Sequence, residues 1–118
     1  MQKKFCLAEA KKMSRWFQEL LGVQDWTIKL TITDARPEWV PDEQGLVGLC
    51  SSSIRCKTVD IWVSPKRCNE ESENPFVVLF HELNHVVFED LNVKVDDRLE
   101  FTIDRYAILM WLLYKKEK

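Results

Sequence analysis

The sequence predicts a single α+β domain with an N-terminal helix, a small three-stranded and mostly antiparallel sheet, and two further helices. Three observations lead to this fold class. Both terminal segments repeat apolar residues with a helical period, as amphipathic helices do. The middle of the chain contains three short segments with strand character, and an apolar stretch with clear helix-start signals follows them. The length of 118 residues suits one domain spanning residues 1–118.

The first helix is predicted over residues 4–21, because apolar side chains recur there on one face and Gly22 offers a C-terminal stop. Residues 26–33 alternate apolar and polar side chains and predict the first strand. The remaining strands are expected at residues 46–53 and 58–64, joined by a hairpin connection at residues 54–57.

The third strand places Val59, Ile61 and Val63 on one face, and Asp60 and Trp62 on the other. The segments before the second strand and after the third are polar and acidic. Residues 34–45 and 66–73 are therefore predicted to be surface loops.

Charge and composition argue against two classes of partner. The net charge of −2 gives no basic surface for nucleic acid, and no apolar run reaches membrane-spanning length. The segment Met1–Cys6 also lacks the long apolar core of a signal peptide. We therefore expect a cytoplasmic protein that binds neither nucleic acid nor membranes.

The four cysteines are predicted to be free or buried thiols. Cys6, Cys50, Cys56 and Cys68 form no C-x-x-C pair, so their spacing is poor for a cysteine zinc site. Without a secretory signal a reducing compartment is expected, where disulfides are uncommon.

A helix is predicted over residues 75–90, because Asn74 is a good N-cap and Pro75 suits the first helical position. This helix is apolar nearly all round and is expected to be buried. It carries His81-Glu82-x-x-His85, which places both histidines on one face, one turn apart.

The two histidines of this motif are the only two in the chain. Two randomly placed histidines would fall at this spacing, with a glutamate after the first, on the order of once in several hundred sequences. Imidazoles so placed can hold one metal ion, and Glu82 can reach a water bound to that ion. The alternative is that His81 and His85 are ordinary histidines satisfied within a core helix.

A catalytic zinc site usually has three protein ligands, so a third ligand is required. Glu100 is the best candidate, on a last helix predicted over residues 96–115. Asp104 lies four positions later, on the same helix face. It would accept a hydrogen bond from the far ring nitrogen of His81 and so fix the orientation of that ring.

Other interpretations of these acidic residues remain open. Asp97 and Glu100 have the spacing of a helix capping box, which would explain Glu100 without a metal. The runner-up ligands for a metal are Glu89, Asp90 and Cys68.

The combination of His81, Glu82 and His85 with Glu100 and Asp104 resembles the gluzincin arrangement of thermolysin-like metallopeptidases. The order of elements is also similar to the compact zincin domains encoded by phages and mobile elements. This resemblance implies a zincin-like minimal fold, a Zn²⁺ cofactor and a peptide or protein substrate. The chain departs from larger gluzincins in lacking their extra subdomain, and from metzincins in lacking a third histidine.

The resemblance also implies a mechanism. Glu82 would act as general base toward a zinc-activated water, and the strand at residues 58–64, if it lies at the sheet edge, could bind an extended substrate. Such peptidases usually have a further residue that stabilises the oxyanion. The candidates here are Arg98, Arg105, Tyr106 and Tyr114, although Tyr106 is expected to pack in the core.

Two alternative functions are carried forward. The domain could be a non-catalytic interaction module on a zincin scaffold, with exposed aromatic residues such as Trp39 in its binding surface. It could instead hold a purely structural zinc ion, whose removal would unfold the domain.

Overall fold

The computed structural model describes residues 4–117; residues 1–3, part of the N-terminal segment discussed above, and residue 118 lie outside it. The described part is a mixed α+β domain with four helices and one three-stranded sheet. In chain order its elements are α1 (Leu7–Leu21), β1 (Thr27–Ile32), β2 (Gly48–Ser53), β3 (Thr58–Val63), α2 (Pro65–Glu70), α3 (Pro75–Asp90) and α4 (Asp97–Glu117).

The sheet has the order β1-β3-β2, so β3 is its central strand. Strand β3 pairs in parallel with β1 and antiparallel with β2. The prediction of a mostly antiparallel sheet is therefore wrong, and so is the placement of the third strand at the sheet edge. Alternation along a strand fixes which side chains share a face, but it does not fix the order of the strands. The hairpin prediction is confirmed by the turn that joins β2 to β3.

The segment after β3 is helical where a loop was predicted. Helix α2 begins at Pro65, and the Ser64 hydroxyl caps it by accepting a hydrogen bond from the Arg67 backbone N–H at 3.1 Å. Serine followed by proline is a normal helix start. Cys68 fixes α2 to the core, because its side chain is fully buried. A single buried residue among polar neighbours leaves little periodicity to detect in the sequence.

Helix α3 lies at the centre of the domain, in contact with α1, the sheet and α4. Its start matches the prediction, since the Asn74 side chain accepts a hydrogen bond from the Phe76 backbone N–H at 2.9 Å. Val59, Ile61 and Val63 of β3 share one face, as predicted, and are buried against this layer of helices. The core also includes Ala10, Met13, Phe17, Leu79, Phe80, Leu83, Ala107 and Tyr114.

The opposite face of the sheet has its own buried residues. Trp62 of β3 is fully buried there and donates a hydrogen bond from its indole N–H to the Thr33 carbonyl at 3.0 Å. The Arg67 guanidinium lies over the same ring, and Val40 in the connection after β1 is also fully buried. The connection at residues 34–45 contains no regular helix or strand, as predicted.

Helix α4 has two contrasting faces. One face buries Ile103, Ala107 and Tyr114 against the domain. The opposite face exposes large apolar side chains to solvent, each at half or more of its surface: Phe101, Ile108, Leu109, Leu112 and Leu113. No helix within residues 4–117 combines the length and the apolar character needed to cross a lipid bilayer.

Candidate metal centre

Helix α3 presents both histidines of the motif toward α4. His81 and His85 lie one turn apart, and their Nε2 atoms are 3.3 Å from each other. Each side chain is about one-fifth exposed, at 19% and 22%, whereas most other faces of α3 are buried. The two rings therefore lie on a partly exposed side of a helix whose other sides are mostly packed in the core.

Glu100 reaches the same point from α4. One carboxylate oxygen lies 3.1 Å from His81 Nε2, and the other lies 2.9 Å from His85 Nε2. Zinc bonds of about 2.0–2.1 Å place neighbouring ligand atoms about 3.3 Å apart in a tetrahedral site. The separations in this cluster are close to that value, so the three side chains are arranged as the ligands of one small cation would be.

Asp104 contacts the far side of the first ring. Its carboxylate lies 2.7 Å from His81 Nδ1, as the sequence predicts. A carboxylate can only accept a hydrogen bond, so Nδ1 carries the ring proton. In the neutral ring, Nε2 then presents a lone pair toward Glu100 and His85.

The arrangement of lone pairs explains why a cation suits the cluster. The Glu100 oxygens and Nε2 of His81 are acceptors that face one another, and Nε2 of His85 lies beside both. Burial lowers the pKa of His85 below its ordinary value, and the nearby Glu100 carboxylate opposes that shift. The charged, doubly protonated form of His85 is thus partly disfavoured, and the neutral ring can offer a lone pair to a metal ion together with His81 and Glu100.

The alternative explanations for these acids do not fit the geometry. The cap of α4 is Asp96, whose carboxylate accepts a hydrogen bond from the Leu99 backbone N–H at 2.9 Å, so the proposed capping box of Asp97 and Glu100 is wrong. Asp90 accepts a hydrogen bond from the Trp26 indole, and Cys68 is buried in the core. Glu89 lies outside the cluster of converging ligand atoms.

Glu82 is buried beside the cluster, with 7% of its surface exposed. Burial raises the pKa of its carboxyl group to about 7, although the neighbouring His81 opposes the shift. The Cys50 thiol forms a hydrogen bond with this carboxylate, and burial raises the pKa of Cys50, which keeps it a neutral thiol. Glu82 is therefore a carboxylate whose proton affinity suits proton transfer near neutral pH.

A groove of about 450 Å³ runs over the cluster between α3, α4 and the edge strand β2. Its β2 side depends on Gly48, where an added Cβ would lie 2.8 Å from a Val78 methyl group and 3.0 Å from the Trp62 carbonyl oxygen. The residues that line the groove are Leu46, Gly48, Leu49, Cys50, Ser52, Val59, His81, Glu82, His85, Val86, Glu89 and Glu100.

Sequence reasoning missed the contribution of β2 to this site. Neither Gly48 nor Cys50 belongs to a recognisable motif, and only the strand order brings them to α3. The four cysteines are free thiols, as predicted. Trp39, proposed for a binding surface, is 39% exposed and does not line the groove.

The four candidates for an oxyanion-stabilising side chain do not line the groove in the described part of the chain. Tyr114 is buried and donates its hydroxyl hydrogen to Glu9 at 3.0 Å. Arg98 and Arg105 are exposed. The expectation that Tyr106 packs in the core is wrong, since 46% of its surface is exposed.

The sequence matches no family model, no curated protein and no solved structure at a significant level.

The buried carboxyl group of Glu82 predicts a pH-dependent difference in stability for Glu82→Gln. Between pH 4.5 and about 7 the folded, metal-free protein keeps a proton that the unfolded chain has released, so its stability falls as the pH rises through this range. A glutamine at this position does not titrate, so the variant does not lose stability over this pH range. In chelator, the variant should match the unaltered protein at pH 4 and exceed its free energy of unfolding by roughly 3 kcal/mol at pH 8.

Urea unfolding at the two pH values measures this difference. The exposed glutamate of α2 supplies a control, Glu70→Gln, which should change stability equally little at both pH values. A difference between Glu82→Gln and the unaltered protein that is the same at pH 4 and pH 8 would contradict the burial argument.

Proposed function

We propose that this domain is a zinc-dependent metallopeptidase that hydrolyses peptide bonds. The observation that carries the proposal is the convergence of His81, His85 and Glu100 on one point, with the buried Glu82 beside them in an open groove. Three protein ligands and one open position characterise catalytic rather than structural zinc sites. The donor set of two imidazoles and one carboxylate also suits zinc chemically.

Each residue has a separate role in this proposal. His81, His85 and Glu100 hold the metal, and Asp104 keeps the His81 ring in the tautomer that binds it. When bound, zinc would lower the pKa of a water and polarise the scissile carbonyl. Glu82, buried beside the ligands, would take a proton from the attacking water and pass it to the leaving amine.

The substrate is proposed to bind along β2. This strand lies at the edge of the sheet, so one side of its main chain is free to pair with an extended peptide. Leu49, Cys50 and Ser52 of β2 line the groove above the metal ligands. This assignment replaces β3, which is the central strand and has no free edge.

Metal binding provides the first test. The protein should bind about one equivalent of zinc, and Glu100→Gln should weaken the affinity strongly because it removes an anionic ligand. Asp104→Asn should weaken it about 10–100-fold through the His81 ring. Asp97→Asn, on the exposed first turn of the same helix, is the matched control and should leave the affinity unchanged. Competition with a chelator measures all four proteins, and an unchanged affinity in Glu100→Gln would contradict the assignment.

Cleavage of an unfolded protein provides the second test. The zinc-loaded protein should cleave it, and Glu82→Gln should reduce the rate by about 10²–10⁴-fold while retaining zinc, because the general base is lost. Mass spectrometry of the products and elemental analysis of both proteins give the two measurements. Cleavage at an unaltered rate in Glu82→Gln would remove this residue from the mechanism.

A second candidate function, a non-catalytic interaction module, is favoured by the outer face of α4. Helical spacing places Arg98, Arg105 and Lys116 along the apolar stripe of that face, whereas Asp97, Glu100 and Asp104 lie to one side of it. A second copy of this face would bring like charges together. A flat anionic membrane would be repelled by the acidic residues that flank the stripe. The partner that fits is an amphipathic helix with acidic residues beside its apolar stripe.

A synthetic helical peptide tests this second candidate. A leucine-striped peptide flanked by glutamates should bind the domain equally well with and without chelator, and the double variant Ile108→Glu/Leu112→Glu should lose that binding. The same peptide with lysines in place of the glutamates is the control. Equal binding of both peptides would contradict an interface that is specific for an acidic helix.

A further inference from the structure

We propose that Glu89 gives the groove a preference for peptides with an arginine or lysine side chain next to the bond that is cleaved. This inference rests on the proposed peptidase function, because it names the class of substrate that the same groove accepts. Glu89 is thereby assigned as a residue that determines specificity, with no part in holding the metal or moving a proton.

The position of Glu89 follows from the geometry of α3. It lies four residues after His85, which places it one turn further along the same helix face, about 6 Å along the axis. Glu89 lines the groove together with the two histidines. Because residues of an extended peptide are about 3.3 Å apart, a peptide that runs along this direction would place its first or second residue beyond the metal centre against Glu89.

The lining of the groove contains three glutamates and no lysine or arginine. A smaller pocket of about 180 Å³ on the other side of His81 is also acidic. Apart from His81, its ionisable lining residues are Glu73, Glu82 and Asp104. Bound zinc would be offset by Glu100 and Glu82, which leaves Glu89 as the uncompensated negative charge of the groove. A cationic side chain beside Glu89 would therefore meet opposite charge, and an aspartate or glutamate there would be repelled by it.

The proposed mechanism uses two of the three groove glutamates and leaves Glu89 without a role. Glu100 holds the metal, and Glu82 serves as the base. Within residues 4–117, no side-chain hydrogen bond or ion pair involves Glu89, although its side chain is only partly exposed. The adjacent Asp90, by contrast, accepts a hydrogen bond from Trp26 and pairs with Lys57. Glu89 is thus available to a group that enters the groove.

Peptide binding to the zinc-loaded Glu82→Gln protein tests this inference without cleavage. The probes are acetylated hexa-alanine peptides that carry one arginine, or its uncharged isostere citrulline, at each position in turn. At one position arginine should bind about tenfold more tightly than citrulline. Adding Glu89→Gln should reduce that ratio to less than about twofold, whereas adding Glu70→Gln, on the exposed surface of α2, should leave it unchanged.

The outcomes separate this inference from the peptidase proposal. Cleavage of unfolded protein without a preference for arginine or lysine near the bond overturns the inference and leaves the peptidase proposal standing. An arginine preference in binding that requires Glu89, without cleavage of any peptide by the unaltered protein, removes the peptidase proposal and overturns the inference as a cleavage preference, and it leaves Glu89 as part of a binding site for cationic side chains. The inference is overturned if the arginine and citrulline peptides bind equally or do not bind at all. It is also overturned if the preference for arginine survives Glu89→Gln.

Discussion

Between α3 and α4, the Nε2 atoms of His81 and His85 and the carboxylate oxygens of Glu100 lie 2.9–3.3 Å from one another. Such a contact is unfavourable unless a proton or a cation sits among them. The Asp104 carboxylate holds the ring proton of His81 on Nδ1, so Nε2 of the neutral ring carries a lone pair instead of a proton. This mutual constraint is why the centre suits a metal ion, and the groove and the proposed chemistry are arranged around it.

The packing of two helices holds this centre in place. Helix α3 is apolar on nearly every face and is fixed by α1, the sheet and α4, so the side that carries His81 and His85 has one orientation. The Asp96 cap begins α4 at a defined residue. The same helix buries Ile103 and Ala107, which sets its rotation and directs Glu100 toward α3. A small domain can thus position three ligands on two rigid elements.

The sequence predicts the clustering of His81, His85 and Glu100 better than it predicts the sheet. Helical spacing alone places His81 beside His85 and Glu100 beside Asp104, and two contacting helices complete the cluster. The order of the strands depends on long-range pairing that alternation does not encode, so β3 was wrongly placed at the edge and the parallel pairing with β1 was missed. The roles of Gly48 and Cys50 in the groove could not be predicted for the same reason, since they depend on β2 lying beside α3.

The location of the bound ion tests the central claim most directly. A crystal structure of the zinc-loaded protein, with anomalous data collected on both sides of the zinc absorption edge, would locate the metal without assumptions about activity. The account predicts one strong anomalous peak at about 2.0–2.2 Å from the Nε2 atoms of His81 and His85 and from a Glu100 oxygen. A peak elsewhere in the molecule, or a Glu100 side chain turned away from both rings, would contradict it.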